Sequence, residues 1–337
     1  MRTIELQQFG LDGLNEVTRD KPEPGPGEVR VRMQAASLNY HDLAAVLGMA
    51  NPKMQFPRIP LSDGAGEIDA VGAGVTTRQV GERVTSLFFP DWQGGRPAFD
   101  KMARVTGDTI DGVMAESIVV PASAVMPVPE HLSLPEAATL PCAALTAWRA
   151  LTDGDPVRPG ERVLLQGTGG VSLFALQFCR LFGAETFMVS SGRDKLDRIA
   201  PLEPDHWLSY KDEPEWGRSV RKLAGGRGVD RVVEVGGAGT LTQSLKALAV
   251  GGHVAMIGVL TGAAAPVETA RMMALNARVQ GLTVGSRDDF AAMNRALEQH
   301  QLRPVIGETL GFGDLRAGLE AMQAARHVGK IVFDFDK

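Results

Sequence analysis

Cysteine is scarce in this sequence, whose 337 residues contain only Cys142 and Cys179. Two cysteines cannot form a disulfide framework or a four-cysteine zinc site. Cys179 lies in the apolar run 178–182, which predicts a buried helical residue rather than a reactive thiol.

Long apolar runs and clusters of basic charge are also missing. No apolar run is long enough to cross a bilayer, and the N-terminal residues lack the apolar core of a signal peptide. The 35 basic and 40 acidic residues give a net charge of −5 without a Lys/Arg-rich run, which argues against nucleic acid as the main partner. We therefore expect a cytoplasmic protein that binds neither membranes nor nucleic acid.

The composition is that of an ordinary globular protein, with 44% hydrophobic and 22% charged residues. Residues 1–125 carry short alternating apolar runs between Gly/Pro-rich turns, which is typical of a β-rich domain. Across residues 126–262, compact apolar strands alternate with helical patterns, which predicts parallel βαβ units in a doubly wound sheet. Residues 263–337 are predicted to complete that sheet and then to return to the first domain, ending in a strand at 330–333.

A glycine-rich turn, Gln166-Gly167-Thr168-Gly169-Gly170-Val171-Ser172, separates a predicted strand from a predicted helix. Glycine lets the backbone approach a pyrophosphate, and a helix N-terminus offers free N–H groups and a positive dipole end. Ser172 replaces the third glycine of the fingerprint but is small enough for close packing. A tight turn without a ligand is the alternative, but the surrounding βαβ series favours a dinucleotide bound by Gly167, Thr168, Gly169, Gly170 and Val171.

The end of the next predicted strand indicates which dinucleotide binds. It lies about 20 residues past the turn, where an NAD-binding protein presents a carboxylate to the ribose 2′-OH. Here Ser190, Ser191, Arg193 and Lys195 offer hydroxyls and positive charge instead, which suits a 2′-phosphate. Asp194 could serve NAD, and the two basic residues could simply begin a solvated helix. The pattern favours NADP(H) over NAD(H).

Five segments, in this order, resemble the medium-chain dehydrogenase/reductase superfamily, and more narrowly its zinc-free quinone-oxidoreductase-like branch. They are SLNYHDL (37–43), DGAGE (63–67), VGERV (80–84), LPCAALTAW (140–148) and QGTGGVS (166–172). The resemblance covers essentially the whole chain and implies an α/β protein with a GroES-like β-barrel catalytic domain and a Rossmann domain with a doubly wound parallel sheet. It also implies a homodimer, because the fifth and sixth Rossmann strands often pair across a dimer interface. The strand at 277–283 is the candidate for that pairing.

The resemblance also bears on zinc. Zinc-dependent members hold a catalytic metal through two cysteines and a histidine near a glutamate. These positions map onto Asn39, Ser62, Asp63 and Cys142, and only the last cysteine persists. Asn39 and Ser62 are poor zinc ligands, and the region matching the structural-zinc lobe, 87–113, has no cysteine. We therefore expect no metal site and no zinc. Cys142 could act as a nucleophile, although a partly buried residue of the fold is the plainer interpretation.

The cofactor contacts that the resemblance implies lie in three further places. Thr146 is expected to pack against the nicotinamide ring, and Val235 and Gly236 to pass beneath the cofactor ribose. Backbone groups near Ile257, Gly258 and Val259 are expected to contact the carboxamide. The protein would then orient the nicotinamide against the substrate, while the cofactor supplies the hydride.

Substrate polarisation would have to come from side chains, because no metal is expected. The loop 39–42 is the candidate by resemblance. Asn39 could donate a hydrogen bond to a developing oxyanion, and Tyr40 or His41 could donate a proton. His41 lies where zinc-dependent members keep a hydroxyl proton relay; a satisfied structural histidine is the alternative.

The leading hypothesis is NADPH-dependent reduction of a quinone, enone or aldehyde by metal-free hydride transfer. The aromatic run 87–92 would form a wall of a pocket for an apolar small-molecule substrate, or else pack on the barrel. Two alternatives stay open. One is zinc-free NAD(P)-dependent alcohol dehydrogenation, and the other is a nucleotide-binding protein without catalysis.

Overall fold

The structure, a computed structural model, describes residues 1–264 and 266–337 and divides into two compact units. The first unit contains Met1–Leu145 and Val284–Lys337, and the second contains Thr146–Thr283. The sequence predicted domain boundaries after residues 125 and 262. The structure divides the chain later, after Leu145 and after Thr283. The first shift arises because a strand at Val125–Pro127 and a helix at Leu134–Ala137 pack on the sheet of the first unit.

The regular elements are numbered in chain order. The strands are β1 (Arg2–Leu6), β2 (Leu14–Thr18), β3 (Glu28–Ser37), β4 (Asp63–Val71), β5 (Arg83–Ser86), β6 (Ser117–Pro121), β7 (Val125–Pro127), β8 (Arg162–Gln166), β9 (Glu185–Ser190), β10 (His206–Ser209), β11 (Val229–Glu234), β12 (Leu248–Met256), β13 (Arg278–Gly281), β14 (Ile306–Gly311) and β15 (Lys330–Asp334). The α-helices are α1 (Tyr40–Val46), α2 (Phe99–Met102), α3 (Leu134–Ala137), α4 (Leu145–Thr152), α5 (Gly170–Leu181), α6 (Arg193–Ile199), α7 (Trp216–Leu223), α8 (Leu241–Ala247), α9 (Thr269–Leu275), α10 (Arg287–His300) and α11 (Leu315–Gln323).

A mostly antiparallel sheet organises the first unit. Its strand order is β14-β15-β3-β4-β5-β7, and β6 also pairs with β3. Along β3 the side chains of Val29, Val31 and Met33 are buried and alternate with more exposed neighbours, as expected for a strand with one face on a core. The C-terminal strand β15 runs antiparallel to β3, with Val332 opposite Ser37. This register brings the start of β15 beside the residues that follow β3.

The second unit is a doubly wound parallel sheet, and this part of the predicted fold class is confirmed. Its strand order is β10-β9-β8-β11-β12-β13, and all five pairings are parallel. Counted within the unit, this is the order 3-2-1-4-5-6 of a dinucleotide-binding Rossmann fold. The strand order reverses between β8 and β11, and ligands of such sheets bind outside the carboxyl ends of the strands at that point.

The interpretation of residues 39–42 as part of a loop was wrong, because helix α1 begins at Tyr40. Leu43, Ala45 and Val46 are buried and give the segment an apolar helical face. Asp42, in the first turn of α1, accepts a 2.7 Å hydrogen bond from the backbone N–H of Asn39. A carboxylate in the first turn stabilises a helix by satisfying a free N–H group.

Among the described residues, no helix is both long and apolar enough to cross a membrane.

Candidate active site

The glycine-rich turn lies between β8 and α5, as the sequence predicted. Gly167 has a φ of 73°, in the left-handed region that favours glycine, and within the described part of the chain no atom beyond its immediate neighbours lies within 4 Å of where its Cβ would be. The same open space surrounds Gly169, which precedes the first turn of α5. Thr168 is buried, and the hydroxyl of Ser172 donates to the carbonyl of Gln166. The turn therefore leaves its backbone accessible at the N-terminus of a 12-residue helix, which is the geometry that binds phosphate.

A buried carboxylate that the sequence analysis missed, Glu234, joins the ends of β8 and β11. Glu234 is fully buried at the last position of β11. Its two oxygens accept hydrogen bonds from the side chains of Gln166, Thr240 and Ser244 and from the backbone N–H groups of Gly236 and Gly237. Oε1 of Gln166 in turn accepts from the N–H groups of Val235 and Gly236 at 3.2 Å. One hydrogen-bonded network thus fixes two of the backbone segments assigned to the cofactor.

The segment that follows β12 packs directly on the turn that follows β11. The N–H of Ile257 donates to the carbonyl of Glu234 at 2.8 Å. A Cβ at Gly258 would lie 2.2 Å from the carbonyl oxygen of Val235, so only glycine fits there. Val259 is half-exposed. Thr146, the residue assigned to the nicotinamide ring, is buried in α4.

Basic side chains gather where β9 ends, the place predicted to select the cofactor. Ser190 is buried, Ser191 is half-buried, and Arg193 begins α6 with its guanidinium 5.4 Å from the centroid of the Trp207 ring. Burial lowers the pKa of Lys195, Asp194 raises it, and the charges of Arg198 and Lys211 lower it further. Lys211 was not predicted as a cofactor residue. It follows β10, which pairs with β9, so only the sheet order brings it to this place.

In the first unit, a buried polar cluster contains all four residues mapped onto the three metal ligands and the nearby glutamate. The amide Nδ2 of Asn39 lies 3.3 Å from Oγ of Ser62. Oδ1 of Asp63 accepts the Ser62 hydroxyl at 2.6 Å, and Oδ2 accepts the backbone N–H of Cys142 at 2.9 Å. Asn39, Ser62 and Asp63 are buried, and Cys142 is half-buried. Oδ1 of Asp42 accepts the backbone N–H of Ser62 at 3.0 Å and so ties α1 to the cluster.

A lysine that the sequence analysis did not single out completes this cluster. Nζ of Lys330 donates to Oδ1 of Asn39 at 2.6 Å and to the carbonyl of Leu38 at 2.7 Å, and the residue is only 3% exposed. Burial lowers its pKa, while the charges of Asp63, Cys142 and Asp42 oppose that shift. We refer to Asn39, Asp42, Ser62, Asp63, Cys142 and Lys330 as the Lys330 cluster.

Burial raises the pKa values of the two carboxyl groups in the Lys330 cluster, whereas it lowers the pKa of Lys330. Burial, reinforced by the charge of Asp63, raises the pKa of Asp42 to about 7. Burial also raises the pKa of Asp63, although Lys330 and the hydrogen bond from Ser62 counteract it. A buried ammonium and a buried carboxylate each cost free energy unless they are paired, so Lys330 and Asp63 depend on one another.

The donor set of the Lys330 cluster does not fit zinc. Zinc takes thiolate, imidazole and carboxylate ligands, but here an amide and a hydroxyl stand at two of the four positions and an ammonium lies among them. Within residues 1–264 and 266–337, no group of three His, Cys, Asp or Glu side chains could hold a metal ion.

His41 forms a dyad with Asp108, a residue that the sequence analysis did not consider. Nε2 of His41 lies 3.1 Å from Oδ2 of Asp108, and the two side chains are 31% and 6% exposed. Burial would lower the pKa of His41, but the hydrogen bond to Asp108 and the charges of Asp42 and Asp63 raise it above its ordinary value. The partial exposure leaves the ring accessible, and the neighbouring carboxylates favour the protonated imidazole.

The other predicted catalytic residue of α1, Tyr40, is 39% exposed at the first position of the helix.

The aromatic run 87–92 packs within the first unit, which agrees with the interpretation that it packs on the barrel. Leu87, Phe88, Phe89 and Trp92 are all at most 5% exposed. Phe88 meets His41 edge to face, with 5.1 Å between the ring centroids, and so buttresses the dyad.

Two family matches cover most of the chain. Residues 25–130 match the alcohol dehydrogenase GroES-like domain, and residues 170–299 match the zinc-binding dehydrogenase family. A zinc-type alcohol dehydrogenase-like protein of Schizosaccharomyces pombe is 38% identical over 97% of this chain and 96% of its own length. The chain belongs to the medium-chain dehydrogenase/reductase superfamily. It is an oxidoreductase of the alcohol-dehydrogenase-like type, and the predicted GroES-like and Rossmann fold class is confirmed.

Solved structures of this superfamily cover the chain end to end. An NAD-dependent alcohol dehydrogenase superposes with a TM-score of 0.92 at 34% identity, covering 99% of both chains. A mycobacterial protein solved in complex with NADPH superposes with a TM-score of 0.84 at 28% identity, covering 99% of this chain and 100% of that one. One neighbour is described as NAD-dependent and the other contains NADPH, and together they support a nicotinamide dinucleotide as the cofactor.

Proposed function

We propose that this medium-chain dehydrogenase/reductase reduces an activated carbonyl or alkene, such as a quinone, enone or aldehyde, with NADPH and without a metal. The observation that carries the proposal is the donor set of the Lys330 cluster, in which an amide and a hydroxyl replace two zinc ligands and an ammonium is bound to the amide. A chain with these residues has no Lewis acid to polarise an unactivated alcohol or ketone. Substrates that accept a hydride readily, and small apolar ones, suit it best.

The preference for NADPH is supported by the charges at the end of β9. Arg193, Lys195 and Lys211 provide positive charge, and Ser190 and Ser191 provide hydroxyls, beside the strand end where a ribose 2′-substituent is recognised. The open turn at Gly167 and Gly169 fits the pyrophosphate of the same cofactor. When bound, NADPH supplies the hydride.

We assign the proton to His41. Its Nε2 is engaged by Asp108, which leaves Nδ1 as the ring nitrogen that can donate to the substrate. Asp108 stabilises the imidazolium and fixes the orientation of the ring, as a carboxylate does for a catalytic histidine. For a carbonyl substrate the proton goes to the oxygen, and for an enone it goes to the α-carbon or the enolate oxygen. We keep Tyr40 as a second candidate donor and Asn39 as a candidate hydrogen-bond donor to the developing oxyanion.

An observation on Asp194 favours a second candidate, an NAD-dependent alcohol dehydrogenase. A Cβ at Gly192 would lie 2.6 Å from Oδ1 of Asp194, so this carboxylate folds back over the end of β9. That is where a carboxylate would accept a hydrogen bond from the ribose 2′-OH of NAD.

Cofactor selection gives the first prediction. We expect the wild-type protein to bind NADPH more tightly than NADH in fluorescence titrations. The double variant Arg193→Ser/Lys195→Ser should weaken NADPH binding by about 100-fold, because each of the two lost charge-assisted contacts to a phosphate contributes about 1.4 kcal/mol, a factor of ten. Its affinity for NADH should change little.

A matched control is Arg180→Ser, which removes an exposed guanidinium paired with Glu203 in the same unit. It should leave both affinities unchanged. A wild-type preference for NADH, or equal losses for both cofactors in the double variant, would refute the 2′-phosphate assignment and favour Asp194 and the second candidate.

The same proposal includes a homodimer. Strand β13 lies at one edge of the six-stranded sheet, so one side of its backbone has no strand partner within the described chain. Exposed strand edges pair readily with another strand, and a second copy of β13 is the simplest partner. Light scattering coupled to size-exclusion chromatography should give twice the chain mass of 35.9 kDa. A mass of one chain at micromolar concentration would contradict it.

A further inference from the structure

We propose that Trp207 is a positioning residue that holds the guanidinium of Arg193 ready for the 2′-phosphate of NADPH, and that it thereby contributes to the preference for NADPH over NADH. The inference deepens the proposed function, because it rests on the assignment of Arg193 to the 2′-phosphate. The two residues belong to different elements, since Trp207 lies in strand β10 and Arg193 begins helix α6.

The first support is that the Trp207 ring is the partner of Arg193 in this structure. The guanidinium carbon lies over the ring at 5.4 Å from its centroid, which is within the range of about 6 Å for a cation–π contact. Across residues 1–264 and 266–337, the Arg193 side chain makes no hydrogen bond and no ion pair, including with Asp197 one helical turn away. A carboxylate at that spacing can pair with an arginine on a helix, so the ring determines where this side chain lies.

The second support is that the strand carrying Trp207 is anchored. Strand β10 pairs in parallel with β9, and Trp207 lies opposite Met188. Nε2 of the preceding residue, His206, lies 2.9 Å from Oε1 of Glu185, and its ring stacks on Phe187 with 4.5 Å between the centroids. The Trp207 ring therefore extends from a fixed backbone and can hold a longer, more flexible side chain in place.

The third support is the position of the contact. Ser209 of β10 lies opposite Ser190 at the end of β9, and Trp207 precedes Ser209 by two residues, about 7 Å along the strand. The ring therefore lies within one arginine side-chain length of the strand end that we assign to the 2′-phosphate.

The chemistry of a stacked guanidinium suits a phosphate ligand. The guanidinium contacts the aromatic ring through its face, and the N–H groups along its edge stay free to donate to phosphate oxygens. An unrestrained arginine side chain loses conformational entropy when it binds an anion. Contact with Trp207 restricts the Arg193 side chain before the cofactor arrives, so less affinity is lost on binding.

The experiment removes the ring with and without the arginine. Trp207→Leu and Trp207→Phe are compared in the full-length chain, and Trp207→Leu is also combined with Arg193→Ser. Trp207→Gln is a second variant without a ring, should the leucine variant fold poorly. His206→Leu is the matched control, because it removes two anchors of the same strand and leaves both the ring and the guanidinium in place.

Isothermal titration calorimetry measures the dissociation constants of NADPH and NADH without relying on tryptophan fluorescence, which the substitutions change. Circular dichroism reports folding. We expect Trp207→Leu to weaken NADPH binding by about three- to fivefold and to leave NADH binding unchanged, because only the 2′-phosphate uses the positioned guanidinium.

Two further results are expected if Trp207 acts through Arg193. Trp207→Phe should bind NADPH more tightly than Trp207→Leu, because it retains an aromatic face. In the Arg193→Ser background, Trp207→Leu should have no additional effect on NADPH, since the partner of the ring is already absent. His206→Leu should leave the ratio of the two cofactor affinities unchanged.

The outcomes separate the inference from the proposed function. If the wild type prefers NADH, or if Arg193→Ser leaves NADPH binding unchanged, the 2′-phosphate assignment fails and the inference falls with it. If Arg193→Ser weakens NADPH binding but the ring-free variants do not, or if they weaken both cofactors alike, the inference alone is overturned. Equal losses from Trp207→Leu with and without Arg193 would overturn it as well.

Discussion

Replacing His41 by glutamine should lower kcat by about 100-fold or more for the best quinone, enone or aldehyde substrate, because a positioned proton donor contributes 10²–10⁴-fold to such a step. The affinity for NADPH should remain within a factor of about two, since the proposed cofactor residues lie elsewhere in the chain. Steady-state kinetics and fluorescence titration measure the two effects separately. Phe89→Leu is a suitable packing control, because Phe89 is buried in the same aromatic run without a ring contact to His41.

The pH dependence of the reaction should report the same residue. The pKa of His41 is raised, and the protonated ring is the donor, so kcat should be highest at low pH and should fall as the pH rises through that raised pKa. Three carboxylates act on the ring: Asp108 directly, and Asp42 and Asp63 at longer range. Asp108→Asn removes the largest favourable contribution, so the fall in kcat should shift to lower pH.

A purely structural role for Asp108 would give a different result. In that case Asp108→Asn would lower the amount of folded protein or reduce kcat equally at every pH. An unshifted pH profile in a folded Asp108→Asn variant, or a kcat for His41→Gln within a few fold of the wild type, would contradict the assignment of the proton to this dyad.

Local sequence patterns were sufficient to place the glycine-rich turn and the strand end that we propose bind the nucleotide. Residues adjacent in sequence predict both the turn at Gly167 and Gly169 and the end of the strand at Ser190. A βα turn and a strand end depend mainly on residues close together in the chain. The order of the parallel sheet follows from alternating strands and helices together with the resemblance to a known superfamily. Residues 39–42 were misread as a loop because the helix that begins at Tyr40 is only seven residues long, and its N-terminal capping by Asn39 and Asp42 was not recognised.

The residues that were missed have partners far away in sequence. Lys330 contacts Asn39 across 291 positions, His41 contacts Asp108 across 67, and Glu234 contacts Gln166 across 68. No local pattern contains such pairs. A weaker signal was present, since Lys330 begins the apolar strand 330–333 and Glu234 ends the apolar strand of β11. A charged residue at the buried end of an apolar strand needs a partner, and that need marks it as part of a polar network.

Replacing Glu234 is the change for which we expect the largest loss of stability. In Glu234→Gln an amide NH₂ replaces one of two oxygens that together accept five hydrogen bonds, so donors from the turn after β11 or from Gln166 and Ser244 lose their acceptor. Each buried donor left unsatisfied costs about 1–3 kcal/mol, and we expect the free energy of unfolding to fall by about 2–5 kcal/mol. Urea denaturation followed by circular dichroism measures this loss.

The same substitution should weaken NADPH binding by at least about tenfold even under conditions where the protein remains folded, because Glu234 fixes the backbone at Val235 and Gly236 relative to the end of β8. Glu215→Gln is the matched control, since Glu215 is an exposed carboxylate of the same unit that pairs with Lys246. It should reduce stability far less than Glu234→Gln and leave the cofactor affinity unchanged. If Glu234→Gln reduced stability without affecting NADPH binding, the hydrogen-bond network would only stabilise the Rossmann sheet. The turn after β11 would then not belong to the cofactor site.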